Sequence, residues 1–225
     1  MKKFYLTTPI YYVNDKPHIG HAYTSLAADT LARFMRLNNN EVFFATGTDE
    51  HGQKVEQSAN KMNLSVEEFT ETNSTKFKNM SEYLNLTNDG FIRTSEIRHK
   101  NKVKEIWKKL LEKDQIYLGS YKGWYSIRDE AFIPESEIRT DENNKKIGPS
   151  NDYLKFLEEP SYFFKLSNWQ QKLLEFYKNN KEFILPKSRY NEVIKFVEGG
   201  LEDLSISRTS FSWGIGVPDN EKHVI

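Results

Sequence analysis

The sequence predicts an α/β chain in which a parallel sheet is interrupted by a β-rich α+β insertion. Three observations carry that class. The first fifty residues run strand, loop, helix, strand, loop, which is the βαβ rhythm of a parallel sheet. From about Ile116 the texture changes to short aromatic strands among turns. Past Gly199-Gly200 the chain leaves two helices and resumes short extended segments. At 225 residues it is long enough for one or two domains with a sizeable core.

Lys3-Phe4-Tyr5-Leu6-Thr7 is short and aromatic and is bounded by Pro9, so it reads as a buried strand. Tyr11 to Pro17 reads as a loop. A helix follows from near His18 to about Asn38, with Ala22, Leu26, Ala27, Leu31, Phe34 and Met35 at helical spacing and Pro17 at its start. Glu41 to Thr46 is a second strand, ending in the loop Gly47-Thr48-Asp49-Glu50-His51-Gly52. Helices are expected over about 52–62 and 66–83, the second capped by Ser65 with Glu68 three residues on. Phe91-Ile92-Arg93-Thr94 is a strand, and Ser95 is expected to cap a helix reaching about Asp114. The core face of that helix is read as Ile97, Val103, Ile106, Trp107 and Leu110, with its lysines on a solvated face. Ile116-Tyr117-Leu118 and Gly123-Trp124-Tyr125-Ser126 read as two short strands, and Ser161 to Leu166 as another. Helices over 168–179 and 187–199 come next. His223-Val224-Ile225 reads as a strand beginning.

Thirty-two basic and thirty-two acidic side chains give a formal net charge of +0, so nothing global draws the chain to nucleic acid or to an anionic membrane. The absence of cysteine excludes a disulfide scaffold, a thiolate nucleophile and a Cys-based zinc site. A mean hydropathy of -0.73, with no run near the ~20 apolar residues of a span, argues against a membrane. A cytoplasmic protein is the expectation; oligomeric state stays open. No Gly-x-Gly-x-x-Gly follows the first strand and no Gly-x-x-x-x-Gly-Lys occurs, which removes an NAD-binding domain and a P-loop ATPase.

Two loops can carry chemistry. His18-Ile19-Gly20-His21 enters a helix N-terminus, where unpaired N–H groups and a partial positive charge suit an anion. Gly20 leaves room for a flat ligand, and two imidazoles can donate to phosphate. On its own, His at i and i+3 reads equally as a metal pair or as two helix-surface residues. The second loop, around Asp49, should open at the same carboxyl edge of the sheet, where open α/β folds bind ligands and an Asp can meet an ammonium.

Pro9-Ile10-Tyr11-Tyr12-Val13-Asn14-Asp15-Lys16-Pro17-His18-Ile19-Gly20-His21, then Gly47-Thr48-Asp49-Glu50-His51-Gly52, closely resemble the methionyl-tRNA synthetase family of class I aminoacyl-tRNA synthetases. The resemblance continues through Phe91-Ile92-Arg93-Thr94, Gly123-Trp124-Tyr125, Asp129-Glu130, Ser161 to Lys165 and Gly200 to Thr209, so it spans essentially the whole chain. It implies a Rossmann-like catalytic domain over 1–115, a connective insertion over 116–198 and a return to the catalytic domain over 199–225. It implies ATP with Mg2+ as a substrate complex, L-methionine, and tRNA(Met) in the full-length enzyme. His18 and His21 would stabilise the ATP phosphates, with adenine against Gly20. Asp49 would hold the methionine ammonium, Ile10 and Tyr12 would line the thioether pocket, and His51 and Lys54 would support them. Arg208 matches an arginine near the substrate carboxylate, and reads equally as a structural ion pair.

Two departures qualify the resemblance. Many members carry a zinc knuckle after the Trp-Tyr segment; here Ser126 and Asp129 stand at the first pair of Cys positions, so no zinc is expected. The insertion should then rest on aromatics such as Trp124, Tyr125, Phe132, Tyr162 and Phe163. Members also continue past the point matched by Ile225 into a Lys-Met-Ser-Lys-Ser loop and an anticodon-binding domain. The expectation is therefore an amino-terminal portion that does not form methionyl-adenylate alone. The alternatives are a non-catalytic binding or assembly fragment, or a class I synthetase for leucine, valine or isoleucine. The compact insertion argues against the last.

Overall fold

The computed structural model describes residues 1–129 and 131–225; Glu130, part of the Asp129-Glu130 match, lies outside the described residues. Strand β1 (Lys3–Thr7) and the two-residue β2 (Tyr11–Tyr12) run along β3 (Glu41–Asp49), which also pairs with β4 (Gly90–Arg93). All these pairings are parallel, as the βαβ pattern requires. Thr7 faces Ala45 but Tyr11 faces Thr48, so one extra residue is inserted around Thr8-Pro9-Ile10, a bulge that re-aims the strand. The expected loop over Tyr11 to Pro17 therefore opens with a strand. The expected loop at Gly47-Thr48-Asp49 is strand as well, because Thr48 is paired with Tyr11 on one side and Arg93 on the other.

Helix α1 (Ile19–Leu37) crosses between β2 and β3, with α2 (Gln53–Lys61) and α3 (Val66–Tyr83) after β3. The capping box of α3 forms as read: Ser65 Oγ accepts from Glu68 N at 3.2 Å and Glu68 Oε2 accepts from Ser65 N at 3.1 Å. The periodic apolar stripe of α1 is not its buried face. Leu26, Leu31 and Phe34 are exposed, while Ser25, Asp29 and Ala32 are buried. Asp29 faces inward because Thr87 N and Thr87 Oγ1 both donate to it at 2.6 Å, joined by Arg33 Nε at 2.6 Å. A core of Tyr11, Val13, Val55, Ala59, Phe69 and Phe77 lies under the start of α1.

In helix α4 (Ile97–Glu112) the N-cap position is held by Glu96, not Ser95, and no side chain caps it. Trp107 is its buried residue, whereas Ile97 is 72% exposed and Ile106 50%. The two short strands expected after it are one strand, β5 (Ile116–Ser126). Local turn residues Gly119 and Gly123 are overridden by residue-for-residue antiparallel pairing with the long strand β9. Between them come β6 (Ala131–Ile133), β7 (Arg139–Thr140) and β8 (Lys146–Ile147), and β9 itself covers Lys155–Phe164. Helices α5 (Gln170–Asn179) and α6 (Lys187–Glu198) follow as expected. Strand β10 (Leu204–Ser205) then joins β9, so the second sheet runs β10-β9-β5-β6. The chain closes on the hairpin of β11 (Gly216–Val217) and β12 (Asn220–Val224), a strand that begins earlier than expected. Aromatic contacts hold the insertion: Tyr121 on Phe132 at 3.8 Å, Tyr125 on Phe132 at 5.0 Å, Trp124 on Phe156 at 5.3 Å and Trp107 on Tyr162 at 5.2 Å. Among the described residues no helix is long and apolar enough to cross a membrane.

Candidate active site

The start of α1 is built by its own two histidines. His18 is the N-cap in extended conformation, and its Nδ1 accepts from Gly20 N at 3.1 Å. His18 N in turn donates to His21 Nδ1 at 3.1 Å, and the rings stack with centroids 3.8 Å apart. This is a capping box made with imidazoles in place of hydroxyl and carboxylate. Because each Nδ1 accepts a backbone proton, each neutral ring carries its own proton on Nε2, so both present a donor there. Tyr11 at 4.9 Å and the edge contact of Phe77 at 5.0 Å enclose the His21 ring. Burial, with the nearby His18, holds the His21 pKa below the ordinary histidine value. Gly20 matters for a local reason: a Cβ there would stand 3.0 Å from His18 Cε1, so glycine lets that ring fold over the helix end.

Tyr12, His18 and His21 line one hollow of about 280 Å³, together with Asn14, Asp15, Lys16 and Pro17. Tyr12 faces Asp49 across β2 and β3, and Val13 N donates to the Asp49 carbonyl at 3.3 Å. The Lys54 Nζ lies 5.7 Å from the centroid of the Tyr12 ring. Ile10, in the bulge just before β2, is 43% exposed. The structure thus brings Tyr12, Asp49, Lys54 and the two helix-cap histidines to the carboxyl ends of β2 and β3, where a parallel sheet presents its ligand crevice, whereas Ile10 precedes β2 and does not line the hollow of the histidines.

Glu50 is the site's deepest charged group and is fully buried. It accepts from Thr48 Oγ1 at 2.7 Å, from Arg93 Nε at 2.7 Å and Nη2 at 3.0 Å, and from the Ser95 hydroxyl. Burial pushes its carboxyl up, but the bonds from Arg93, Ser95 and Thr48 outweigh it and hold the group below the usual carboxylate range. Arg93 also meets Glu71, and these two carboxylates raise its own pKa. Ser95 caps nothing because its hydroxyl is taken by Glu50. Next along, His51 packs 5.5 Å from the Trp213 ring, and its pKa falls to about 4, mainly through burial, with Lys100 adding to the effect. The Trp213 indole donates to the Glu50 carbonyl, Gly52 N donates to the Trp213 carbonyl at 3.3 Å, and Lys100 Nζ lies 5.6 Å from the indole centroid. Glu50, Arg93 and Trp213 escaped the sequence reading as site residues. All three stand in or beside the matched motifs, but their meeting depends on strands and loops far apart in sequence.

Arg208 stands apart from the histidines. It lines a second hollow of about 220 Å³ with Gly52, Tyr125, Ser205, Ser207 and Phe211. Its Nη1 donates to Ser205 Oγ and to the Ser207 carbonyl, both at 2.8 Å, and its guanidinium lies 5.4 Å from the Phe132 centroid and 5.9 Å from that of Tyr125. Gly52 is the point at which this hollow touches the Asp-Glu-His-Gly segment. In the insertion, Asp129 N donates to Ser126 Oγ at 2.9 Å, and Ser126 Oγ donates to Asp152 Oδ2 at 2.6 Å. A hydroxyl and carboxylates at such positions do not make the sulfur-rich tetrahedron of a structural zinc site. Among the described residues no three His, Asp or Glu side chains converge as a metal set. The lysines of α4 are partly ion-paired, Lys102 and Lys109 both reaching Glu105.

A family model described as tRNA synthetases class I (M) matches residues 4–146 and 142–225. The methionine–tRNA ligase of Rickettsia bellii is 57% identical over 99% of this chain, and that of Brucella suis is 50% identical over 100%. The chain spans 43% and 44% of the length of these two relatives. The solved structure of Mycobacterium tuberculosis methionyl-tRNA synthetase in complex with methionyl-adenylate superposes with a TM-score of 0.95 at 47% identity, covering 100% of this chain and 44% of that one.

Proposed function

This chain belongs to the methionine group of class I tRNA synthetases, and from that membership we propose that it supplies the ATP and L-methionine contacts of a methionine–tRNA ligase. In the reaction the methionine carboxylate attacks the α-phosphate of ATP, presented as its Mg2+ complex. Pyrophosphate leaves and methionyl-adenylate forms. The aminoacyl group then passes to tRNA(Met), and AMP departs. No protein nucleophile is required, so the chain's work is positioning and charge stabilisation.

His18 and His21 are assigned to the phosphates. The Nε2–H donors of both rings stand at a helix N-terminus, a setting that favours developing negative charge without reorganisation. Gly20 lets the nucleotide approach the backbone. Asp49 takes the methionine ammonium, Tyr12 and Ile10 form apolar wall, and His51 and Lys54 support them. Arg208, held by Ser205 and Ser207, is assigned to the carboxylate from the insertion side. We keep the division into 1–115, 116–198 and 199–225, with β10 tying the last segment to the insertion's sheet.

The observation that carries the reading is the use of both Nδ1 atoms as acceptors, which commits both Nε2 atoms as donors. Calorimetric titration with ATP and with methionine tests it. His21→Ala should weaken ATP binding about tenfold or more and leave methionine binding nearly unchanged, and Asp49→Asn should do the reverse. Equal affinities of parent and both variants would refute the assignment.

A further inference from the structure

Glu50 sits between two proposed ligand-facing residues and is fully buried where they are half-buried. Thr48, two residues before it, is fully buried as well. The carboxylate is closed on both oxygens by Thr48, Arg93 and Ser95. Its backbone is tied too: Glu50 N donates to Thr94 Oγ1 at 2.9 Å, and its carbonyl accepts the Trp213 indole. A buried ion pair is a poor stabiliser, since apolar groups of the same volume often serve the fold as well. What this pair does supply is a fixed direction, because the planar guanidinium meets the carboxylate through two parallel bonds.

We propose that the Glu50–Arg93 pair is a positioning device that sets where Asp49 and His51 point, so that methionine recognition depends on two residues that never touch the ligand. It rests on the assignment of Asp49 to the methionine ammonium. The pair couples the ends of β3 and β4, and Trp213 closes the same segment from the last part of the chain.

The test compares the parent with Glu50→Gln, Arg93→Lys and Asp49→Asn, titrated with methionine and with ATP well below each variant's Tm. Glu50→Gln should lose about tenfold or more in methionine affinity while ATP affinity stays within about twofold, since the histidines stand on another element. Arg93→Lys keeps the charge and loses the two-pronged contact, so it should show a smaller loss of the same kind. Unchanged methionine affinity in Glu50→Gln, or equal losses for both ligands, would overturn the proposal. If the parent fails to bind methionine, or Asp49→Asn binds it as the parent does, the assignment of Asp49 has failed instead. Hydrogen exchange at the Trp213 indole then judges the clamp without ligand. Glu50→Gln should speed it about tenfold or more, and an unchanged rate would overturn the clamp itself.

Discussion

Gly47→Ala tests how tightly the two central strands frame the site. Gly47 faces Ile92, and a methyl group added to it would stand 2.0 Å from the Ile92 carbonyl oxygen, 2.8 Å from the carbonyl carbon and 2.9 Å from the amide nitrogen. All three are backbone atoms, so no side-chain rotation relieves the clash. Restoring an ordinary contact of about 3.5 Å requires β3 and β4 to part by more than about 1 Å. Overpacking alone costs about 1–3 kcal/mol, and the ladder bonds lost beside it add about 1 kcal/mol each, so the total is about 3–5 kcal/mol. For a chain of this size that lowers Tm by about 10 °C or more. Thermal unfolding followed by circular dichroism reads the shift. Gly216→Ala is the control, because nothing lies within 4 Å of its added methyl; its Tm should move by no more than about 2 °C. A Gly47→Ala Tm as close to the parent's as the control's would refute the packing argument.

Acid should destabilise the protein through His51. Its folded pKa of about 4 lies below the 6.5 of the unfolded chain, so its contribution is complete above pH 6.5 and is lost as pH falls toward 4. The gap is worth up to about 3 kcal/mol. The urea midpoint should therefore drop between pH 7 and pH 4.5, and His51→Gln should flatten that drop; an equal drop in both proteins would count against the buried neutral imidazole. In the insertion, Ser126→Ala strands the Asp129 amide and removes a donor from Asp152, whose Oδ1 already has no partner among the described residues. A loss of about 2–3 kcal/mol is expected by denaturant titration, and a change under about 0.5 kcal/mol would show that water replaces the hydroxyl fully.

What was legible in the sequence was what neighbours along the chain decide. The capping box at Ser65 and Glu68 is a matter of three residues, and it formed as read. Ser95 reads as a cap as well but makes none, because a carboxylate 45 residues earlier accepts its hydroxyl, and no Glu or Gln stands three residues on to complete a box. Gly119 and Gly123 look like breaks between two strands, yet β9 supplies a partner for every residue from Ile116 to Tyr125 and the break never happens. The stripe of Leu26, Leu31 and Phe34 has helical spacing without facing the core, since Asp29 and its bonds to Thr87 decide which side of α1 turns inward. In each case a long-range hydrogen bond or ladder outweighed local propensity.

The site follows the same rule with a different result. His18, Gly20 and His21 could be found in sequence because their geometry is local: a helix start, two imidazoles three residues apart, and a glycine that makes room for one ring. Asp49 could be found because it ends a strand of a parallel sheet. Glu50 looked like a spacer between more promising residues, and it is the spacer that determines their aim. Glu50 directly follows the last residue of β3, so anchoring it on Arg93 restrains the backbone that carries both neighbours. That role needs β4 beside β3, a fact of topology that the motif itself does not contain. Glu50→Gln therefore tests the proposed anchor separately from the proposed ligand contact that Asp49→Asn removes.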